Sequence, residues 1–350
     1  MARHATPRDA ARPVRRHGRH VRVRRRHSVG IVLSAAVLVA FAALPGLGRM
    51  VVGLERVSHD PPPPEGWFRT APVGAWERLP GDTSCAEQVH RSTWEPRPDN
   101  NKANHTVPDP DRVRAALATR PRSGPEGGYD PRFDSRLLER VSGQHTGTTD
   151  ENIQWAACKW GLPDNLLRAI AVRESTWYQG ATYPNGRCVE MLGCGDMVEE
   201  PNGDTRVFCA AIGRFGHDYE ADYGTGVCPK TFSIVGVMAW EDPRWGVMDG
   251  NQNGTFPFSR DSTAYALDYL GAYLRGCYEG WVHWLDQTGD RTYAAGDLAG
   301  CVGSWYAGEW RSPAALHYIE LVEGEVAKHT WLTEEFARHD PPCSKRYGCP

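Results

Sequence analysis

The segment GLPDNLLRAIAVRESTW, residues 161–177, joins a clear helical signal to one misplaced residue. Gly161 can end a preceding helix and Pro163 helps to start the next. From there Leu167, Ile170, Ala171 and Glu174 stand at i, i+3, i+4 and i+7, one face of a helix. Glu174 therefore falls on the face that the aliphatic side chains bury. Desolvation raises the pKa of a carboxyl held there, and the negative end of the helix dipole adds to it. A carboxylic acid that stays protonated near neutrality is what glycosidic cleavage requires, because the leaving oxygen must take a proton as its bond breaks. A helix that stops at Ser175-Thr176-Trp177 also opens a cleft wall beside that carboxyl. The same spacing is met if the stripe stops short of Glu174 and leaves it in solvent.

Working outward, Ile153, Ala156, Ala157 and Trp160 form a second stripe that starts near Thr149, with Asp150 as a capping candidate. Helical patterns recur at 262–279 and 313–332. Between them lie a Cys-rich loop at 181–231, which either roofs the cleft or is a stapled insertion, and a Gly/Asn-rich loop at 249–258. The latter opens like a calcium loop, but its twelfth position is Arg260 rather than the bidentate Glu, so no metal is expected. Strand signal is weak. Residues 55–147 lack apolar periodicity and include Pro61-Pro62-Pro63-Pro64, which reads as a stiff, extended Pro-rich arm. The expected fold is mainly α: a helical domain over 148–336, an arm before it, and a tail over 337–350.

Residues 1–28 contain ten Arg and one acid, a net +9, and 29–48 is a twenty-residue run without charge, long enough for one membrane crossing. Basic flank first puts 1–28 in the cytoplasm and the body outside. The run is either a retained anchor or a signal cleaved after Ala40-Phe41-Ala42. The other 322 residues carry −12, which gives no reason to expect a nucleic-acid partner. All ten cysteines lie beyond the apolar run, as in an exported, disulfide-bonded chain. Their connectivity is open. Proximity suggests Cys188–Cys194, Cys209–Cys228, Cys277–Cys301 and Cys343–Cys349, leaving Cys85 for Cys158. No CxxC or His pair has zinc-ligand spacing. Ten of the 13 Trp fall between Trp155 and Trp331, so the domain has many rings on which a sugar can stack, although core packing claims most of them.

The 161–177 segment resembles the catalytic helix of the soluble lytic transglycosylase and goose-type lysozyme families, which ends in Glu-Ser. Three later stretches fit in order: SIVGVMAW (233–240) looks like the family's Ser…Gly-Leu-Met-Gln stretch, SWYAGEW (304–310) like its Ala-Tyr-Asn-Ala-Gly stretch, and HYIELVEGEVAKHTW (317–331) like the helix that follows. CYEG (277–280) and GDLAGCVG (296–303) are similar to segments of secreted actinobacterial members. The resemblance covers about 148–336. It implies a lysozyme-like domain that cleaves the β-1,4 bond between N-acetylmuramic acid and N-acetylglucosamine in peptidoglycan. Glu174 would be the single acid and base, the product a 1,6-anhydro sugar, and no cofactor would be needed.

In that reading Ser175 and Ser233 hold the N-acetyl group or the carboxyl, and Met238, Trp305 and Tyr306 line the sugar subsites. The chain departs from the family at Ala239 (Gln), Trp305 (Tyr) and Tyr306 (Asn). The family Tyr bonds the catalytic acid; indole donates but cannot accept, so that contact would change or pass to Tyr306. The alternatives are a hydrolysing muramidase with a second acid, and a wall-binding scaffold whose site has decayed. The protein would sit outside the cytoplasm, secreted or anchored through 29–48.

Overall fold

The computed structural model describes residues 57–120, 122–123, 128–183, 187–189, 191–198, 203–239 and 253–338. They belong to one contact unit, Glu55–Pro350. The architecture is mainly helical: α1 (Asp82–Ala86), α2 (Asn101–Asn104), α3 (Pro110–Ala118), α4 (Thr149–Trp160), α5 (Asp164–Ser175), α6 (Gly203–Gly213), α7 (Tyr219–Tyr223), β1 (Thr231–Phe232), β2 (Val237–Met238), α8 (Phe258–Asp261), α9 (Thr263–Tyr278), α10 (Leu298–Ala307), α11 (Pro313–Lys328) and α12 (Glu334–Ala337). The two short strands pair antiparallel, with Thr231 opposite Met238 and Phe232 opposite Val237.

The centre is α4, all twelve of whose residues are buried. Its start is fixed by a capping box in which the Thr148 side chain takes the Glu151 N–H and Glu151 takes the Thr148 N–H. It ends where Gly161 adopts φ 58°. α9 and α5 pack on α4, and α10 and α11 continue the bundle. Because α4 is surrounded, its polar side chains are buried and must be paired. Lys159 meets Asp268 of α9 at 2.8 Å, and Asp268 also accepts the Trp160 indole N–H at 2.7 Å. Asp150 meets Arg168 of α5 at 2.7 Å, and Arg168 meets Asp164 at 2.7 Å.

The front segment is not a free extended arm. It carries α1–α3 and is anchored to the helices in two ways: Val89, Val113, Leu117, Phe133 and Leu137 are buried in the same core, and its backbone is bonded by helix side chains. Asp164 accepts the N–H groups of Trp67 and Phe68, Gln154 that of His90, Glu151 that of Ser92 and Glu279 that of Gly74. Arg275 donates to the carbonyls of Ala71 and Pro72. The segment's buried apolar residues are scattered over short helices and turns, and side-chain-to-backbone docking needs no apolar period, so the sequence alone reads as a linker. Cys85–Cys158 ties it to α4 covalently, and Cys188–Cys194, Cys209–Cys228 and Cys277–Cys301 are also formed. Cys343 and Cys349 lie outside the described residues, as do the basic stretch 1–28, the apolar run 29–48 and most of the tail. Four disulfides are compatible with an oxidising, extracytoplasmic setting. Among the described residues no helix is long and apolar enough to cross a membrane.

Candidate functional site

The end of α5 is where the site begins. Thr176 and Trp177 take φ 52° and 69°, so the helix stops abruptly at Ser175. Arg97 of the front segment donates to the Thr176 carbonyl at 2.9 Å and to that of Phe336 at 2.8 Å, which satisfies a helix-end acceptor with a cation. The β1–β2 turn, 233–236, is held from three sides. Ser175 Oγ donates to the Ile234 carbonyl at 2.9 Å, Trp305 Nε1 donates to the Val235 carbonyl at 3.1 Å, and Gln179 Oε1 accepts the Ile234 N–H at 3.1 Å.

The turn presses Gly236 against Glu174. Gly236 has φ +63°, and a Cβ placed there would stand 2.6 Å from Glu174 Oε2. A glycine is therefore required twice over, for the backbone and for the room it leaves at that oxygen. The other oxygen, Oε1, accepts a hydrogen bond from the Tyr318 hydroxyl on α11. Tyr318 is 4% exposed, and its ring lies flat against that of Tyr306, with centroids 4.6 Å apart and planes 2° from parallel. Burial raises the Glu174 carboxyl to about 7 despite the lowering effect of the Tyr318 bond; the negative charge of Asp196 adds a little and Arg173 subtracts. Burial and the neighbouring carboxylate push the Tyr318 phenol well above its usual value, so it remains a donor across the neutral range.

Glu174 opens into a cleft of about 280 Å³. Ser233, Met238, Trp305 and Tyr306 share this cleft with it, whereas Ser175 does not: it is 1% exposed and committed to the turn. Ser233 is also nearly buried, at φ 91°, and its N–H donates to the Gly193 carbonyl. Met238 and Tyr306 are exposed rims, at 44% and 61%. The phenol that bonds the Glu174 carboxyl is Tyr318, not Tyr306, and the Trp305 indole is spent on the Val235 carbonyl. Ala239 is fully buried in a satellite core with Phe232 and Phe256, so it offers the cleft nothing.

Several lining residues are not among the site residues that the sequence suggests, Tyr318 and Asp196 foremost. Tyr318 lies on the buried stripe of α11 with Ala315, Ile319 and Val322. A buried phenol seeks a partner, which is a signal for it. Asp196 enters from the Cys-rich loop, which contributes Met191, Gly193 and Gly195 to the same wall and is stapled by Cys188–Cys194. That loop does line the cleft. Among the described residues no group of three His, Cys, Asp or Glu could hold a metal ion; residues 249–252 of the calcium-like loop lie outside them. Compared with protein-family models, curated proteins and solved structures, the chain matches none.

Proposed function

We propose that this chain cleaves the glycan of peptidoglycan as a lytic transglycosylase, with Glu174 as its acid and base. The observation that carries the reading is a carboxyl raised to about 7 at the edge of a cleft, with one oxygen bonded to Tyr318 and the other kept clear by Gly236. The resemblance of 161–177 and the ordered later motifs supply the substrate class. Protonated Glu174 gives its proton to the glycosidic oxygen as the C–O bond breaks, and the substrate's acetamido oxygen supports the developing cation. The carboxylate then takes the proton of the sugar's own 6-hydroxyl, whose oxygen closes on C1. Glu174 is restored, and the products are a shortened strand and a 1,6-anhydro end, with no water consumed. Met238, Trp305 and Tyr306 flank the sugars. Residues 29–48 would hold the body at the membrane or direct its export.

A second reading has one observation in its favour: Asp196 lines the same cleft, its side chain 68% exposed, where it could activate a water and turn the reaction into hydrolysis. Mass spectrometry of the muropeptides released from purified sacculi separates the two. Anhydro ends, lacking one water, support the transglycosylase; reducing ends made in an Asp196-dependent way support the muramidase. Glu174→Gln is expected to abolish release in either case. Binding to sacculi with no release by the unaltered chain would instead mark a scaffold.

A further inference from the structure

A second concavity, of about 550 Å³, lies in the front segment. It is not part of the cleft and shares no lining residue with it. Pro61, Pro62 and Pro63 form one wall, and residues 87–92 form another. Its central feature is an aromatic platform: Trp67, 40% exposed, stacks on the exposed His90 with ring centroids 3.5 Å apart and planes 12° from parallel. Neither the Trp67 indole nitrogen, the His90 ring nor the Glu87 carboxylate has a hydrogen-bond partner among the described residues.

The platform is held rigidly. Asp164 bonds the Trp67 backbone N–H at 2.9 Å and Gln154 bonds the His90 backbone N–H at 2.9 Å, so the main chain that carries each ring is fixed by side chains of the core helices. Ser58 and Ser92 bridge the two walls. A groove built on buried, paired polar groups, with a stacked ring pair left uncovered, is preorganised for a ligand. Its chemistry selects the ligand class. A flat ring with free donors and acceptors at its rim matches a pyranose, which offers an apolar face and a ring of hydroxyls. Asp60 and Glu87 are acidic, and the one Lys or Arg among the described lining residues, Arg91, is already engaged by Glu151. That balance disfavours anionic polymers and favours uncharged N-acetylated sugars.

We infer that the Trp67–His90 groove is a second carbohydrate-binding site, which holds neutral N-acetylhexosamine units of a glycan strand away from the cleft. That the strand is wall glycan rests on the proposed function; that the groove takes a neutral saccharide does not. One element reaches both sites. Asp164, which anchors Trp67, and Glu174 are both on α5, about 15 Å apart along its axis at ~1.5 Å per residue.

The test uses the full chain carrying Glu174→Gln, so that turnover cannot intervene. Retention on purified sacculi and calorimetric binding of chitohexaose are measured with and without Trp67→Ala, Trp67→Phe and, as an independent exposed variant, Glu87→Ala. Trp67→Ala is expected to lower sacculus retention and chitohexaose affinity by about tenfold at an unchanged melting temperature, with Trp67→Phe recovering most of it. Glu87→Ala is expected to weaken binding less. Unchanged binding in both Trp67→Ala and Glu87→Ala would overturn the proposal, as would preference for an anionic polymer or capture of a proline-rich peptide in place of chitohexaose. Trp67-dependent binding in a chain whose Glu174 form releases nothing would sink the enzymatic reading and leave this one standing.

Discussion

Tyr318→Phe removes one oxygen and leaves the ring, so it isolates the bond to Glu174 while keeping the stack on Tyr306. A hydrogen bond to a charged group is worth about 1.5–3 kcal/mol, and a pKa unit is ~1.4 kcal/mol. The bond favours the carboxylate and burial opposes it, with burial the larger. Without the phenol the balance moves further toward the acid, and the Glu174 carboxyl is expected to rise by about one to two units from about 7. The protonated form starts the reaction, so activity falls as pH rises through this pKa. The assay is the pH profile of muropeptide release between pH 4 and 10. In Tyr318→Phe the alkaline limb should move up by about one to two units, with a lower plateau because the carboxyl is less firmly aimed. An alkaline limb that stays in place, or moves down, would refute the assignment of Tyr318 to the acid.

Three further outcomes are expected. Glu174 binds its proton more tightly folded than unfolded, so the folded state loses stability as pH rises from about 4.5 to about 7; Glu174→Gln should raise the melting temperature at pH 8, by up to about 3 kcal/mol in stability, and leave it nearly unchanged at pH 4. Gly236→Ala should cut muropeptide release at least tenfold, since its Cβ meets Glu174 Oε2 and its φ costs about 1–2 kcal/mol, while circular dichroism stays native. Replacing Cys85 and Cys158 together with Ser opens a link spanning 73 residues and should lower stability by about 4 kcal/mol in a denaturant titration.

The elements that could be read from the sequence are those whose own side chains carry the periodicity. α4 and α5 begin at Thr149 and Asp164, near where their stripes indicate, although the cap of α4 is Thr148 and not Asp150, which lies inside the helix and pairs with Arg168; α9 and α11 fall inside the apolar patterns at 262–279 and 313–332. Glu174 was visible for the same reason, as a carboxyl on an aliphatic face. Ser175 was misleading: the residue after the acid looks like a ligand for substrate, yet its hydroxyl joins helix to turn, a contact across 59 positions that no local pattern announces. The front segment is hard to read because its buried apolar residues, such as Val89, Val113, Leu117, Phe133 and Leu137, are spread over short helices and turns, and buried Asp, Glu, Gln and Arg of the helices bond its backbone. β1 and β2, two residues each, are too short to leave an alternation.

The central claim concerns one carboxyl, and it can be measured without any substrate. Carbon-13 NMR of the Glu-labelled chain, with Glu174→Gln used to assign the resonance, follows the titration of Glu174 directly. A midpoint near pH 7 is expected. A midpoint at the ordinary value of about 4.5 would mean that the carboxyl is solvated and ionised at neutrality, and the acid on which the proposed cleavage depends would not exist.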